Sequence, residues 1–331
     1  MNDYIPPFDI TNMMLDRVAS IMKKIGMIDN YQGLNKMPVL RKNNRIRSIH
    51  SSLAIEANSL SFNQVRDVIS GKTVIGDKND IQEVKNAYKA YEMMMKFNPY
   101  SIDDIKKAHE IMTYLLVDEA GKFRTGAEGV FDENNNCIFM APKPEMVDTL
   151  MDSLFNWMRE KKNEINPLIL SSVFHYEFVF IHPFADGNGR IVRLWQNIIL
   201  ANWEKIFEYV PIESQIKKYQ DDYYKTIQEC HLHGNSTTFI EFMLKMIDEV
   251  LDELIDSTNN HINHISPYVN KLLNVMENGV SMTTLELMKK LNLKSKKSFR
   301  ENYLKPAIDN GLIKMTNPDK PTSKNQMYYK V

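Results

Sequence analysis

The sequence predicts a mainly α-helical chain, interrupted once by a β-hairpin and ending in three helices with a two-stranded wing. Three observations carry this. The 331 residues hold only 12 Gly and 13 Pro among many Leu, Ile, Met, Lys and Glu, a composition that favours helix. Apolar residues recur at three- and four-residue spacing over most of the length. The texture changes at residues 121–144, where glycines and asparagines surround strand-like pairs, and again after a polar junction near residue 257.

Taken in order, residues 11–27 carry Met14, Val18, Ile21 and Met22 on one helical side, and residues 41–60 carry Ile46, Ile49, Leu53 and Ile55. Ser61 caps a third helix that runs to a break at Gly71. Residues 80–97 form a longer amphipathic helix through Val84, Ala87, Ala90, Tyr91 and Met94. Ser101 opens the next, with Asp103 and Asp104 in the first turn, where the helix dipole favours acids. Val130-Phe131 and Ile138-Phe139, joined by a turn holding Asn134, Asn135 and Asn136, read as a hairpin closed by Pro142 and Pro144. Helices then follow at 145–161, 168–181, 191–203, 219–231 and 237–256.

Ser257-Thr258-Asn259-Asn260 predicts a linker over 257–265. Beyond it, residues 266–331 hold twelve Lys and Arg against five Asp and Glu. Helices at 268–277, 284–291 and 295–310, then strands at 311–315 and 326–330, make a winged helix-turn-helix pattern. The domain plan is therefore 1–100 as an N-terminal helical region, 101–256 as a core, the linker, and 266–331 as the winged helix.

The whole-chain charge of −1 gives no case for nucleic-acid or membrane binding by the protein as a whole. Cys137 and Cys230 are too few for a disulfide framework or a cysteine metal site. The first ten residues lack a basic segment followed by an apolar core, and apolar stretches elsewhere are broken by charge. The expectation is a soluble, cytoplasmic protein.

The densest chemistry lies at His182-Pro183-Phe184-Ala185-Asp186-Gly187-Asn188-Gly189-Arg190, followed by Arg193, between two apolar helices. His182 is a ready base near neutrality. Gly187 and Gly189 allow backbone shapes that turn successive N–H groups toward one anion. Asn188 can cap the following helix and donate to a phosphate, and Asp186 is a hard oxygen ligand suited to Mg²⁺. Arg190 and Arg193, three apart, can reach one polyphosphate, and Phe184 is an apolar peg. Singly each has a bland explanation; twelve residues at a helix start hold them all.

This run resembles the defining motif of the Fic-domain family, His-x-Phe-x-(Asp/Glu)-Gly-Asn-Gly-Arg-x-x-Arg, and matches every specified position. The resemblance extends over about residues 47–246, taking in Gly121-Lys122-Phe123-Arg124 before the hairpin, Ala141-Pro142 after it, and His175-Tyr176. It implies a Fic-type helical bundle with a β-hairpin flap. It also implies transfer of AMP from ATP to a hydroxyl of a target protein, with Mg²⁺, self-modification and homodimers as further expectations. By the same resemblance His182 is the base and Asp186 holds Mg²⁺. Gly187, Asn188 and Gly189 cradle phosphates, Arg190 takes the β-phosphate and Arg193 the γ-phosphate. Tyr224 lines the adenine pocket, and His231 stands where some relatives carry Asn. His175 and Tyr176 read as packing residues.

Upstream, Ser52 and Glu56 in Ser51-Ser52-Leu53-Ala54-Ile55-Glu56-Ala57-Asn58 resemble the family's inhibitory motif, Ser/Thr-x-x-x-Glu-Gly/Asn, with Ala57 departing from it. The resemblance implies an inhibitory helix around 47–58 whose Glu56 competes with the γ-phosphate for Arg193. Alternative readings stay open. Glu56 can serve a de-AMPylase as base, and the nucleotide donor can differ from ATP. The winged helix can make the chain a DNA-binding regulator or a protein-docking module, with Lys289, Lys290, Lys294, Lys296, Lys297 and Arg300 clustered there.

Overall fold

The computed structural model describes residues 4–30, 38–131, 137–264, 266–321, 323 and 325–330. Its elements are α1 (Asn12–Asn30), α2 (Pro38–Ile55), α3 (Phe62–Ile69), α4 (Lys78–Glu92), α5 (Ile102–Met112), β1 (Gly129–Phe131), β2 (Cys137–Met140), α6 (Pro144–Lys161), α7 (Pro167–Ile181), α8 (Asn188–Trp203), α9 (Ile212–Lys218), α10 (Gln220–His233) and α11 (Thr237–His264). There follow α12 (Pro267–Val275), β3 (Met282–Thr283), α13 (Thr284–Lys290), α14 (Lys296–Ser298), a π-helical turn (Phe299–Leu304), α15 (Lys305–Asp309), β4 (Ile313–Met315) and β5 (Met327–Lys330). No described helix is long and apolar enough to cross a membrane.

The chain divides into two compact units: Met1–Lys23 with Asn44–Leu251, and Lys24–Asn43 with Asp252–Val331. Residues 257–264, expected as a linker, continue α11 to His264. The polar run keeps helical pairing because it contains no Gly or Pro to end it. Residues 24–43 group with the C-terminal unit rather than with an N-terminal region.

In the first unit α7 and α8 form the central pair. α7 is buried on nearly every side, from Leu168 through Phe178, as an apolar helix without a polar face must be. Its start is set by Pro167 in the first turn and by Asn166, whose side chain accepts from Leu168 N. Around the pair, α3 begins in a full capping box between Ser61 and Gln64, and Asp77 and Ser101 cap α4 and α5. On α1, Met14 and Ile21 are buried, but Met22 is 41% exposed. The N-terminal segment lies along α11, with Ser236 N donating to Pro7 O at 2.9 Å and Arg17 paired with Asp248 at 2.7 Å.

β1 and β2 pair antiparallel, Gly129 opposite Met140 and Val130 opposite Phe139, with a bulge between Val130 and Phe131. The asparagine turn expected between them lies outside the described residues. In the second unit the strands order β3-β5-β4, all antiparallel. The two-stranded wing thus gains a third strand, because Met282 and Thr283, expected as part of a helix cap, pair with Tyr328 and Met327 before Thr283 caps α13.

Candidate active site

The motif loop joins α7 to α8. His182 ends α7 in the left-handed region (φ 50°) and Gly187 opens α8 at φ 82°. The first is uncommon for a side-chain-bearing residue and is held from both sides: His182 N donates to Phe178 O at 2.9 Å, and Arg124 Nε donates to His182 O at 2.7 Å. Arg124 also donates to Gly126 O and Pro142 O, so one buried guanidinium ties the motif histidine to both ends of the hairpin.

The centre of the loop is braced from α5. The His109 ring stacks on Phe184 (centroids 3.7 Å apart, planes 6° apart). Its Nδ1 accepts from Gly121 N at 2.9 Å, so Nε2 carries the proton and donates to Asp186 O at 2.8 Å. Burial lowers the His109 pKa to about 4, which keeps this one-donor, one-acceptor form. Gly187 packs so close to α5 that a Cβ there would stand 2.9 Å from Thr113 Cγ2. Asn188 differs from expectation. Its Oδ1 accepts from Phe184 N (2.9 Å) and its Nδ2 donates to Phe184 O (2.7 Å), so its side chain closes the loop and does not cap α8. No side chain caps α8, and its first N–H groups have no intrahelical partner.

His182, Asn188, Gly189, Arg193 and Tyr224 line one cleft of about 710 Å³, with Phe139, Tyr223, Gln228 and His231 on its other walls. Burial lowers the His182 pKa below 6.5, against a hydrogen bond to the Val179 carbonyl that raises it. The ring is therefore neutral at pH 7, with one nitrogen engaged and the other able to accept a proton. Tyr224 is 47% exposed at the cleft mouth. His231 stacks on Phe139 of β2 (4.1 Å, 21°) and bonds Tyr176 OH through Nδ1 (3.0 Å). His175, expected only to pack, bridges Gln196 (2.6 Å) and the hydroxyl of Tyr223 (2.9 Å).

Both arginines are occupied by carboxylates. Arg193, 2% exposed, donates through Nη2 to Glu56 Oε1 (2.7 Å) and Ser52 O (2.9 Å), and through Nε to Ser52 Oγ (3.1 Å). Glu56 reaches it over Gly189, where a Cβ would collide with Glu56 Oε1. Arg190 pairs with Glu83 of α4 and with Asp186 Oδ1 at 2.9 Å. Glu83 is held in turn by Asn58, whose Nδ2 donates to Glu83 Oε2 at 2.8 Å. Burial pushes the Glu83 carboxyl up, with Asn58 and Arg190 working against that.

Glu56 is positioned by how α2 ends. Ala57 N bonds Ala54 O and Asn58 N bonds Leu53 O, with Ala57 at φ 64°. This is a Schellman motif with alanine in the left-handed place where glycine is usual. Lys217 Nζ and Gln220 Nε2 satisfy the carbonyls of Ala54 and Ile55. Asp186 is largely exposed, with Oδ1 shared between Gly187 N (2.5 Å) and Arg190. The described residues contain no group of three or more His, Cys, Asp or Glu placed to hold a metal.

A helical unit with a histidine, an uncapped helix start and Arg193 around one cleft, with Arg190 one turn away on the same helix, beside a hairpin, has the architecture of a Fic domain. Residues 99–200 match the Fic/DOC family, and residues 267–329 match the C-terminal domain of Filamentation induced by cAMP protein Fic-like. A crystal structure of a Fic family protein from Desulfovibrio desulfuricans G20 is 39% identical, with a TM-score of 0.74, over 99% of this chain and 98% of that one. The chain belongs to the Fic family. It is 28% identical over 258 residues to the protein adenylyltransferase Fic of Nematostella vectensis, covering 74% of this chain and 56% of that one. It is 25% identical over 227 residues to the protein adenylyltransferase fic-1 of Caenorhabditis elegans, covering 66% and 42%. The chain spans about half the length of the curated relatives it matches. A solved fragment of C. elegans Fic-1 carrying one Glu-to-Gly substitution, 23% identical, shares the fold at a TM-score of 0.60 over 73% of this chain and 72% of that one.

Proposed function

We propose that the chain is a protein adenylyltransferase, moving AMP from ATP to a Ser, Thr or Tyr hydroxyl of a target protein and restrained by Glu56 on Arg193. One observation carries the reading: a neutral histidine, an uncapped helix start and a carboxylate-occupied arginine line the same cleft. The name borne by relatives at 25–28% identity supports it.

In this reading the target hydroxyl meets the free nitrogen of His182, which takes its proton as the oxygen bonds the α-phosphorus. The bond from that phosphorus to the bridging oxygen breaks and pyrophosphate leaves. The N–H groups at the start of α8 receive phosphate charge, Arg190 and Arg193 take the β- and γ-phosphates, and Tyr224 lies beside the base. The β1–β2 hairpin offers an edge for strand-like pairing with the target segment. One exposed carboxylate fits Mg²⁺, which keeps several waters and takes one or two carboxylates besides substrate phosphates. Asp186 would hold it, and it would neutralise phosphate charge.

Glu56 and a γ-phosphate need the same guanidinium, so only one is bound at a time. Glu83 stands to Arg190 and the β-phosphate as Glu56 stands to Arg193, and Asn58 couples the two contacts. The test is mass spectrometry for an AMP adduct on lysate proteins or on the chain after incubation with ATP and Mg²⁺. His182→Ala lowers labelling by about 10²–10⁴-fold, the usual worth of a general base, while ATP still binds; labelling at the unmodified rate in that variant removes the base assignment. Because burial lowers the His182 pKa, the acid limb of kcat/KM falls below pH 6.5, and a limb above that value contradicts a buried, neutral base.

A further inference from the structure

The second unit contains a groove of about 760 Å³ between the start of α13, the helical run from Lys296 to Asp309, and the β4–β5 hairpin. Its floor is apolar, with Leu304 buried and Ile308 and Met315 half-buried, and Leu285 stands 65% exposed at the rim. Lys296, Arg300 and Lys305 line one wall and all three are exposed, and no acidic side chain among the described residues lines the groove. Among the described residues none of the three forms an ion pair, whereas Lys290 nearby in sequence is paired with Glu277 at 2.9 Å.

The row of cations depends on the π-helical turn. In an α-helix, residues five apart diverge by about 140° around the axis, which would put Arg300 and Lys305 on different faces. Bonding from i to i+5 over Phe299–Leu304 brings them back together. Such turns are rare and are frequently found at functional sites. A second, separate feature is Gln326. It is 5% exposed and lines the groove, its Nε2 donates to Met327 O at 2.7 Å, and its Oε1 has no donor among the described residues. Buried polar atoms without partners are uncommon in folded proteins.

We propose that this groove binds an acidic peptide segment of a partner protein that carries a large apolar anchor residue. The carboxylates face the Lys296, Arg300 and Lys305 wall, the anchor fills the floor beside Leu304, Ile308 and Met315, and a peptide N–H reaches Gln326 Oε1. Duplex DNA would satisfy the cations but has no apolar body for the floor and would leave it empty. The groove recruits a partner independently of the chemistry at His182.

The test pans a random library of peptides about a dozen residues long, displayed on phage, against the full chain, with the K296E/R300E/K305E variant as counter-target. The enriched sequences place Asp or Glu around Leu, Phe or Trp. By fluorescence anisotropy the labelled consensus peptide binds the full chain and its His182→Ala variant equally. Triple charge reversal weakens it on the order of 10- to 100-fold, and Leu285→Asp weakens it by about 5-fold or more. All four altered residues are exposed, and unchanged circular dichroism confirms folding. No enrichment over the counter-target, or peptide binding indifferent to the reversal, overturns the proposal. So does a labelled DNA duplex that binds in a reversal-sensitive way while no peptide does.

Discussion

Arg193 and Arg190 lie one helical turn apart on α8 and each holds a glutamate, but they are held differently. Arg193 is fixed by Ser52 through two further hydrogen bonds, so losing Glu56 leaves the guanidinium where it was. Arg190 is stretched between Glu83 and Asp186, and its buried Nε has no partner among the described residues; losing Glu83 leaves it leaning on Asp186. In the proposed reading the first is a preorganised site with a removable occupant, and the second must be re-aimed before it can serve a phosphate. Preorganisation, rather than the number of charges nearby, separates the two.

The largest effect expected on that difference comes from Glu56→Gly. A charge-assisted hydrogen bond is worth about 1.5–3 kcal/mol, so removing the competitor raises AMP incorporation by about 10- to 100-fold. The gain in affinity is seen for ATP and is small for ADP, which lacks the γ-phosphate. Equal labelling of both proteins with radiolabelled ATP counts against competition at Arg193. Glu83→Gln should act more weakly, by about 3- to 10-fold, because Asp186 still holds Arg190. It tightens ADP and ATP alike and leaves AMP unchanged in calorimetric titrations. A gain confined to ATP would assign Glu83 to the wrong phosphate.

The helices and the motif were legible because apolar spacing and a twelve-residue cluster are local signals. α3 and α5 begin at the expected places, where Ser61 and Ser101 cap them, whereas α4 begins two residues before the expected Asp80, at Lys78, because Asp77 caps it. What escaped was tertiary. Glu83 follows the pattern of a solvated acid on an amphipathic helix, and only the tertiary placement of α4, packed on α5, puts it on Arg190. His109 is one histidine on a helix face, and its two-sided bonding to Gly121 and Asp186 depends on segments 12 and 77 residues away. Asn188 was misjudged because its local position suits a cap; the backbone of Phe184 offered a donor and an acceptor together. α9 was missed since Ile212–Lys218 is too short for periodicity to stand out.

The smallest effect expected concerns Ala57, and it tests whether the Glu56 contact depends on how α2 terminates. A side chain in the left-handed region costs about 1–2 kcal/mol, and glycine's greater freedom in the unfolded chain returns about 0.5–1 kcal/mol of that. Ala57→Gly therefore favours the Schellman turn by about 0.5–1 kcal/mol, enough to hold Glu56 on Arg193 about 2- to 5-fold more of the time. Basal labelling falls by that factor. In a Glu56→Gly background the same change leaves labelling unaltered, because the turn then has no carboxylate to deliver. Higher labelling in the single variant, or an equal fall in both backgrounds, would mean that the turn acts on the site by some route other than Glu56.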